Sequence, residues 1–311
     1  MSRRAALVFA LAACSVLAKE KPKLKHEFAD VNGVRLHYVI EGKGPLIVFL
    51  HGFPEFWYEW KDQLPEFAKD HRAVAPDMRG YNLSAKPADV DAYQMKHLVE
   101  DVRALAEHLG YKKFILVGHD WGGGVAWSFA IAHPEYLEKL VIVNCPHPAI
   151  MARELASNPA QQKASQYMLL FRSPQAEQTL STNNYAWLVE AVLGDGLKTG
   201  VFSEADKQAY IAAWSQPGAL TGGLNYYRAA NLGPPAAGAP ATPAVDAGSL
   251  QVKPPTLVIW GEKDTALLTG NLDGMNQFVP NLTVKRIPDG SHWVIHEKPA
   301  LVNEYIRGFI Q

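Results

Sequence analysis

Four short runs in this chain, Pro45–Leu50, Phe114–Val117, Leu140–Val143 and Pro255–Trp260, are apolar at nearly every position, and helical spacing fills much of the sequence between them. A strand that is apolar on both faces must be covered on both sides, and strands joined through helices run parallel. The expected fold class is therefore α/β: a mostly parallel central sheet flanked by helices. The β-rich run Val34–Ile40 and the short runs Arg72–Ala75 and Thr283–Ile287 add strands. Helical spacing covers Glu55–Lys69, Ala92–Leu109 up to a stop at Gly110, Trp121–His133 and the closing segment Pro299–Phe309.

Between Pro146 and about Gln251 the apolar strands disappear and only helical patterns remain, ending in the Pro/Ala-rich stretch Gly233–Pro240. The domain reading is a core in two parts, 27–146 and 252–311, interrupted by a helical unit over 147–251; a length of 311 residues accommodates both. Ahead of the core, Arg3 and Arg4 precede the apolar run Ala5–Ala18, which is short for a bilayer span and reads as a signal peptide over 1–18, with 19–26 as a charged, proline-containing linker. Two processing sites compete. Cleavage after Val16-Leu17-Ala18 releases a periplasmic or secreted protein, whereas Leu11-Ala12-Ala13-Cys14 resembles a bacterial lipobox and would leave a lipoprotein anchored through Cys14.

Thirty Lys+Arg against 31 Asp+Glu leave a formal charge of −1, so nothing in the overall field favours nucleic acid as a partner. The two cysteines, Cys14 and Cys145, exclude a disulfide framework and a thiolate-rich metal cluster; Cys145 reads as a small buried hydrophobe. No obligate protein partner is evident.

Val117-Gly118-His119-Asp120-Trp121-Gly122-Gly123 lies where a buried strand turns abruptly into a helix. Glycines two positions either side of one residue permit a sharp turn that lifts its side chain off the sheet, the geometry of a nucleophile elbow. The raised residue is Asp120. A helix N-cap would also suit an aspartate, and the glycines invite comparison with a dinucleotide loop, but Trp127 occupies the last glycine position of that spacing.

With these motifs in order, the chain resembles α/β-hydrolase-fold enzymes of the epoxide hydrolase and haloalkane or haloacetate dehalogenase group, over roughly residues 27–311. His51-Gly52-Phe53-Pro54 resembles the oxyanion loop of that family, and Asp77-Met78-Arg79-Gly80-Tyr81 its next strand-end motif, with Asn82 in place of a usual glycine. Asn144-Cys145-Pro146-His147-Pro148 resembles the start of the inserted cap.

A carboxylate nucleophile at Asp120 suits attack on an sp³ carbon, giving an ester that water can later hydrolyse; attack on an acyl carbon would give a labile anhydride. The resemblance implies His292, in Gly290-Ser291-His292-Trp293, as the base that activates this water, and Asp264, in Gly261-Glu262-Lys263-Asp264, as the acid that orients it. His296 is the rival base and reads as a surface or helix-terminal residue; His119 reads as structural. Asn144, where some dehalogenases place the acid, lacks a carboxylate. Glu262 and Asp273 read as solvated loop residues. The resemblance assigns oxyanion stabilisation to the backbone N–H groups of Phe53 and Trp121.

Tyr167, four residues before Phe171, and Tyr227, just before Arg228, stand where epoxide hydrolases carry ring-opening tyrosines, with Tyr226 as an adjacent rival. The expected function is hydrolysis of a small-molecule epoxide by water to a vicinal diol, with no cofactor and no metal. Haloalkane dehalogenation, with Trp121 as a halide ligand, is the alternative. A non-catalytic ligand-binding protein is a third. Detoxification, catabolism and removal of a signalling epoxide are equally compatible with the first.

Overall fold

A computed structural model describes residues 24–235 and 247–311. The signal peptide, Cys14, most of the 19–26 linker and most of the Pro/Ala-rich stretch lie outside the described residues. The strands are β1 (Lys25–Val31), β2 (Val34–Gly42), β3 (Leu46–Leu50), β4 (Arg72–Pro76), β5 (Phe114–His119), β6 (Leu137–Val143), β7 (Thr256–Gly261) and β8 (Leu282–Ile287). They form one sheet in the order β1-β2-β4-β3-β5-β6-β7-β8. β2 is antiparallel to both β1 and β4, and every pair from β4 to β8 is parallel.

Every residue of β3, β5 and β7 is buried, as their two-sided apolar composition requires. The edge strand β8 instead exposes Thr283, Val284, Lys285 and Arg286, and two cations there discourage edge-to-edge pairing. On one face of the sheet, Trp60, Phe67, Val302 and Ile306 pack with β3, β5 and β7. On the other, α2 (Met95–His108) and α3 (Asp120–Ala132) are buried through residues such as Leu98, Leu105, Trp127 and Phe129.

Two helical expectations differ from the structure. Glu55–Lys69 is no single helix but a 3₁₀ turn at Trp57–Trp60 followed by the short α1 (Leu64–Phe67). Pro65 supplies no backbone donor for a continuing helix, and Glu55 and Glu59 are drawn into the interior. Ala92–Leu109 likewise divides into a 3₁₀ turn at Val90–Tyr93 and α2, because Gln94 between them is extended; α2 ends beside Gly110, whose φ of +86° suits the stop.

Between β6 and β7 the described residues contain α4 (Pro148–Ser157), α5 (Pro159–Ala164), α6 (Tyr167–Arg172), α7 (Ala176–Leu188), α8 (Gly194–Thr199), α9 (Glu204–Trp214) and α10 (Ala219–Ala229). The chain closes with α11 (Val294–Glu297) and α12 (Pro299–Ile310). Loops leaving the carboxyl ends of β3, β5, β7 and β8 thus converge beneath the helical insertion, the usual place for a site in a parallel sheet.

Candidate active site

The turn from β5 into α3 is tight enough to dictate its residues. Asp120 has φ +46°, a conformation aspartate adopts more readily than most residues. A Cβ on Gly118 would sit 2.4 Å from the Gly122 carbonyl oxygen, and one on Gly122 would sit 2.2 Å from that of Leu50. The turn closes against β3 only because both side chains are missing, and Asp120 is lifted clear of the sheet.

Its two carboxylate oxygens face different partners. Oδ1 accepts the Phe53 backbone N–H at 2.8 Å. Oδ2 faces His292 Nε2 at 3.7 Å. The opposite ring nitrogen, His292 Nδ1, lies 2.7 Å from Asp264 Oδ2. Asp264 is itself fixed: its Oδ1 accepts the Ala266 and Leu267 amides at 2.8 Å each, and Asn144 Nδ2 donates to its Oδ2 at 2.8 Å. Asn144 therefore supports the carboxylate at Asp264 rather than replacing it. Trp121 follows in the first turn of α3, whose amides have no intrahelical acceptor.

Burial disfavours a charged His292, but the charge and hydrogen bond of Asp264, with further help from Asp120 and Glu59, outweigh it and raise the pKa to about 9. Burial likewise opposes ionisation of Asp264, yet its bonds to His292, Leu267 and Asn144 hold its pKa below the ordinary value. Burial, reinforced by the Asp120 charge, pushes both the Tyr167 and Tyr227 hydroxyls well above the usual range, keeping them protonated.

The two phenols are brought together, their ring centroids 6.5 Å apart. Two cavities of about 340 and 250 Å³ share Asp120, Tyr167 and Tyr227 as walls. The larger is otherwise mainly aliphatic, with Met95, Met151, Met168, Leu232 and Leu267, whereas the smaller is aromatic-rich, with Phe171, Trp187 and Trp293. Tyr226 points elsewhere and donates to the Arg79 carbonyl at 2.9 Å. The Trp121 indole meets the Tyr227 ring edge-on, their centroids 5.0 Å apart.

Beneath the site lies a buried cluster that the sequence reading missed. His119 Nε2 lies 2.9 Å from the His292 carbonyl oxygen, and its Nδ1 meets Glu59. Burial lowers the His119 pKa to about 4 and raises that of Glu59 well above normal. The other Glu59 oxygen accepts the Gly52 amide at 2.9 Å. His296 is not a surface residue. It is buried, with Nε2 3.1 Å from Glu55, because α11 turns it inward to pair with that carboxylate. The signal available was Glu55-Phe56-Trp57-Tyr58-Glu59-Trp60, two acids four apart among aromatics, which marks carboxylates destined for the interior.

Residues 45–299 match the family described as alpha/beta hydrolase fold. The chain is 40% identical to AB hydrolase superfamily protein YfhM of Bacillus subtilis over 297 residues, covering 93% of this chain and 98% of that one. It is 38% identical to epoxide hydrolase 2 of Caenorhabditis elegans, covering 92% of this chain and 79% of that protein. A crystal structure of Bacillus megaterium epoxide hydrolase with an inhibitor superposes with a TM-score of 0.83 at 39% identity, covering 91% and 99% of the two chains. The chain belongs to the epoxide hydrolases of the α/β-hydrolase-fold family.

Proposed function

We propose that this protein hydrolyses apolar epoxides to vicinal diols through a covalent ester on Asp120. The observation that carries the reading is the division of labour on one carboxylate: Oδ1 rests on the Phe53 amide while Oδ2 faces His292, and Asp120 lines the same two cavities as Tyr167 and Tyr227. Oδ2 attacks an epoxide carbon and the C–O bond of the ring breaks. One phenol gives its proton to the departing oxygen. The imidazolium proton of His292 then restores that phenol, leaving His292 neutral and able to take a proton from water. The hydroxide so formed adds to the ester carbon, and the negative charge develops on Oδ1 against the Phe53 and Trp121 amides. Collapse expels the diol oxygen, which takes the carboxyl proton; Asp120 is again a carboxylate and His292 again charged. The net reaction is epoxide plus water to diol.

The test incubates the protein with styrene oxide, a long-chain aliphatic epoxide and 1-bromobutane, comparing wild type with Tyr167→Phe, Tyr227→Phe and the double variant. Each single variant is expected to open the ring about tenfold more slowly or worse, because it deletes one of two donors, and the double variant roughly 10³-fold more slowly, within the range for acid catalysis. Bromide release without diol, unaffected by these changes, would transfer the assignment to haloalkane dehalogenation.

Ester formation removes the Asp120 charge, one of the causes that raise the His292 pKa to about 9. The imidazole should therefore lose its proton more easily in the ester than in the free enzyme. In single-turnover measurements, ester hydrolysis is expected to increase with pH along a limb whose midpoint lies below 9. A midpoint at or above 9 would break the proposed link between alkylation and base activation.

A further inference from the structure

Three residues of α9 spaced four apart, Asp206, Tyr210 and Trp214, turn one face of that helix to the core beside the oxyanion loop. Asp206 accepts Tyr58 Oη at 2.9 Å and pairs with Lys61; Tyr210 Oη donates to Glu55 Oε2 at 2.5 Å. Trp214 does something different: its indole N–H donates to a backbone carbonyl, that of Pro54, at 2.6 Å.

That carbonyl shares a peptide plane with the Glu55 amide, which donates to the Gly52 carbonyl at 3.0 Å. The Gly52 carbonyl shares the next plane with the Phe53 amide, which donates to Asp120 Oδ1 at 2.8 Å. Four hydrogen-bonding groups thus stand head to tail: indole N–H, Pro54–Glu55 peptide, Gly52–Phe53 peptide, nucleophile. In such a chain each accepted bond polarises its peptide and strengthens the N–H on the other side. His51 Nδ1, 2.8 Å from the Gly52 oxygen, adds a second donor at the middle link.

We propose that Trp214 is a positioning residue for the hydrolytic half-reaction, acting on the oxyanion through two peptide planes: the cap helix, bonded to Pro54 160 residues away in sequence, aims and polarises the Phe53 donor. The role is asymmetric between the two chemical steps. Charge builds on Oδ1 when water adds to the ester, so a weaker Phe53 donor slows that step. During alkylation negative charge leaves the carboxylate, so the same change leaves ring opening unaffected or slightly faster.

This inference rests on the Asp120 ester proposed above, and the experiment separates the two. In a His292→Gln background, an epoxide is added and the ester carbonyl stretch is read by infrared difference spectroscopy, with and without Trp214→Phe. Absence of any ester would defeat the reaction proposed above. With ester present, Trp214→Phe is expected to move the stretch to higher frequency, reporting a weaker hydrogen bond. With His292 restored, it should slow ester hydrolysis roughly five- to tenfold, a fraction of what loss of a whole oxyanion donor costs, with alkylation unchanged. Tyr210→Phe, which removes a bond from the same helix to the Glu55 side chain while leaving every peptide link of the relay in place, is the matched control and should leave the stretch in place. Should Trp214→Phe not fold, Trp214→Met deletes the same donor and carries the same expectation. An unshifted stretch with unchanged hydrolysis, or equal slowing of both steps in the Trp214 and Tyr210 variants, would overturn the proposal.

Discussion

Asp120→Ala is expected to abolish diol formation, lowering kcat by roughly 10⁴-fold or more, since no other group can accept the alkyl fragment and residues that act as a unit fail together. His292 would remain next to the cavity, held by Asp264, but in the proposed mechanism its role begins only after the ester exists. Both phenols could still polarise an epoxide oxygen, yet activated epoxide without a nucleophile at the floor of the cavity opens only as fast as stray water permits. The substitution also places alanine at φ +46°, which costs about 1–2 kcal/mol relative to an ordinary backbone conformation. Melting temperature and circular dichroism should therefore accompany the assay. A folded Asp120→Ala protein that still forms diol at more than a few per cent of the wild-type rate would show that water attacks the epoxide directly, with His292 as its base, and that the aspartate is not alkylated.

The residues of this machinery differ in how openly they stand in the sequence, and the difference has a physical origin. Asp120 is legible because an elbow needs small neighbours at fixed spacing, and Gly118 and Gly122 record a backbone approach that any Cβ would block. Asn82 is legible for a related reason: at φ +37° it takes the left-handed conformation that the substitution of asparagine for glycine suggests. Tyr167 and Tyr227 could be placed only by resemblance, since tyrosines on amphipathic helices are common and nothing local distinguishes a proton donor from a packed ring. The paired carboxylates Glu55 and Glu59 were hidden because helical spacing is ambiguous over fifteen residues. The pattern could not say that a proline and two inward-facing acids would break Glu55–Lys69 into two short turns. His296 was misplaced by the same logic, for a lone histidine carries no local mark of the partner it meets 241 positions away. Trp214 is the extreme case: its polar contact is with a carbonyl, and any residue at position 54 would have offered one.

His292→Gln is expected to stop the reaction halfway. In the proposed mechanism alkylation needs Asp120 and the phenols, which the substitution leaves in place. Hydrolysis needs a base, and glutamine has none to offer, so that step should fall by about 10²–10⁴-fold, the usual contribution of a positioned general base. One equivalent of epoxide should be consumed per active site in a burst, the intact protein should gain the mass of the epoxide, and digestion should place that mass on the peptide containing Asp120. The wild-type enzyme offers the complementary reading in ¹⁸O-labelled water with enzyme in excess. If the ester forms, the oxygen added to the substrate is Asp120 Oδ2, so diol from the first turnover carries no label and the label appears in the carboxylate instead. Later turnovers then pass that label to product. A labelled diol in the first turnover, together with no mass gain in His292→Gln, would require His292 to deliver water straight to the epoxide, and the 3.7 Å approach of its Nε2 to Asp120 Oδ2 would then describe a charge pair and not the two ends of a displacement.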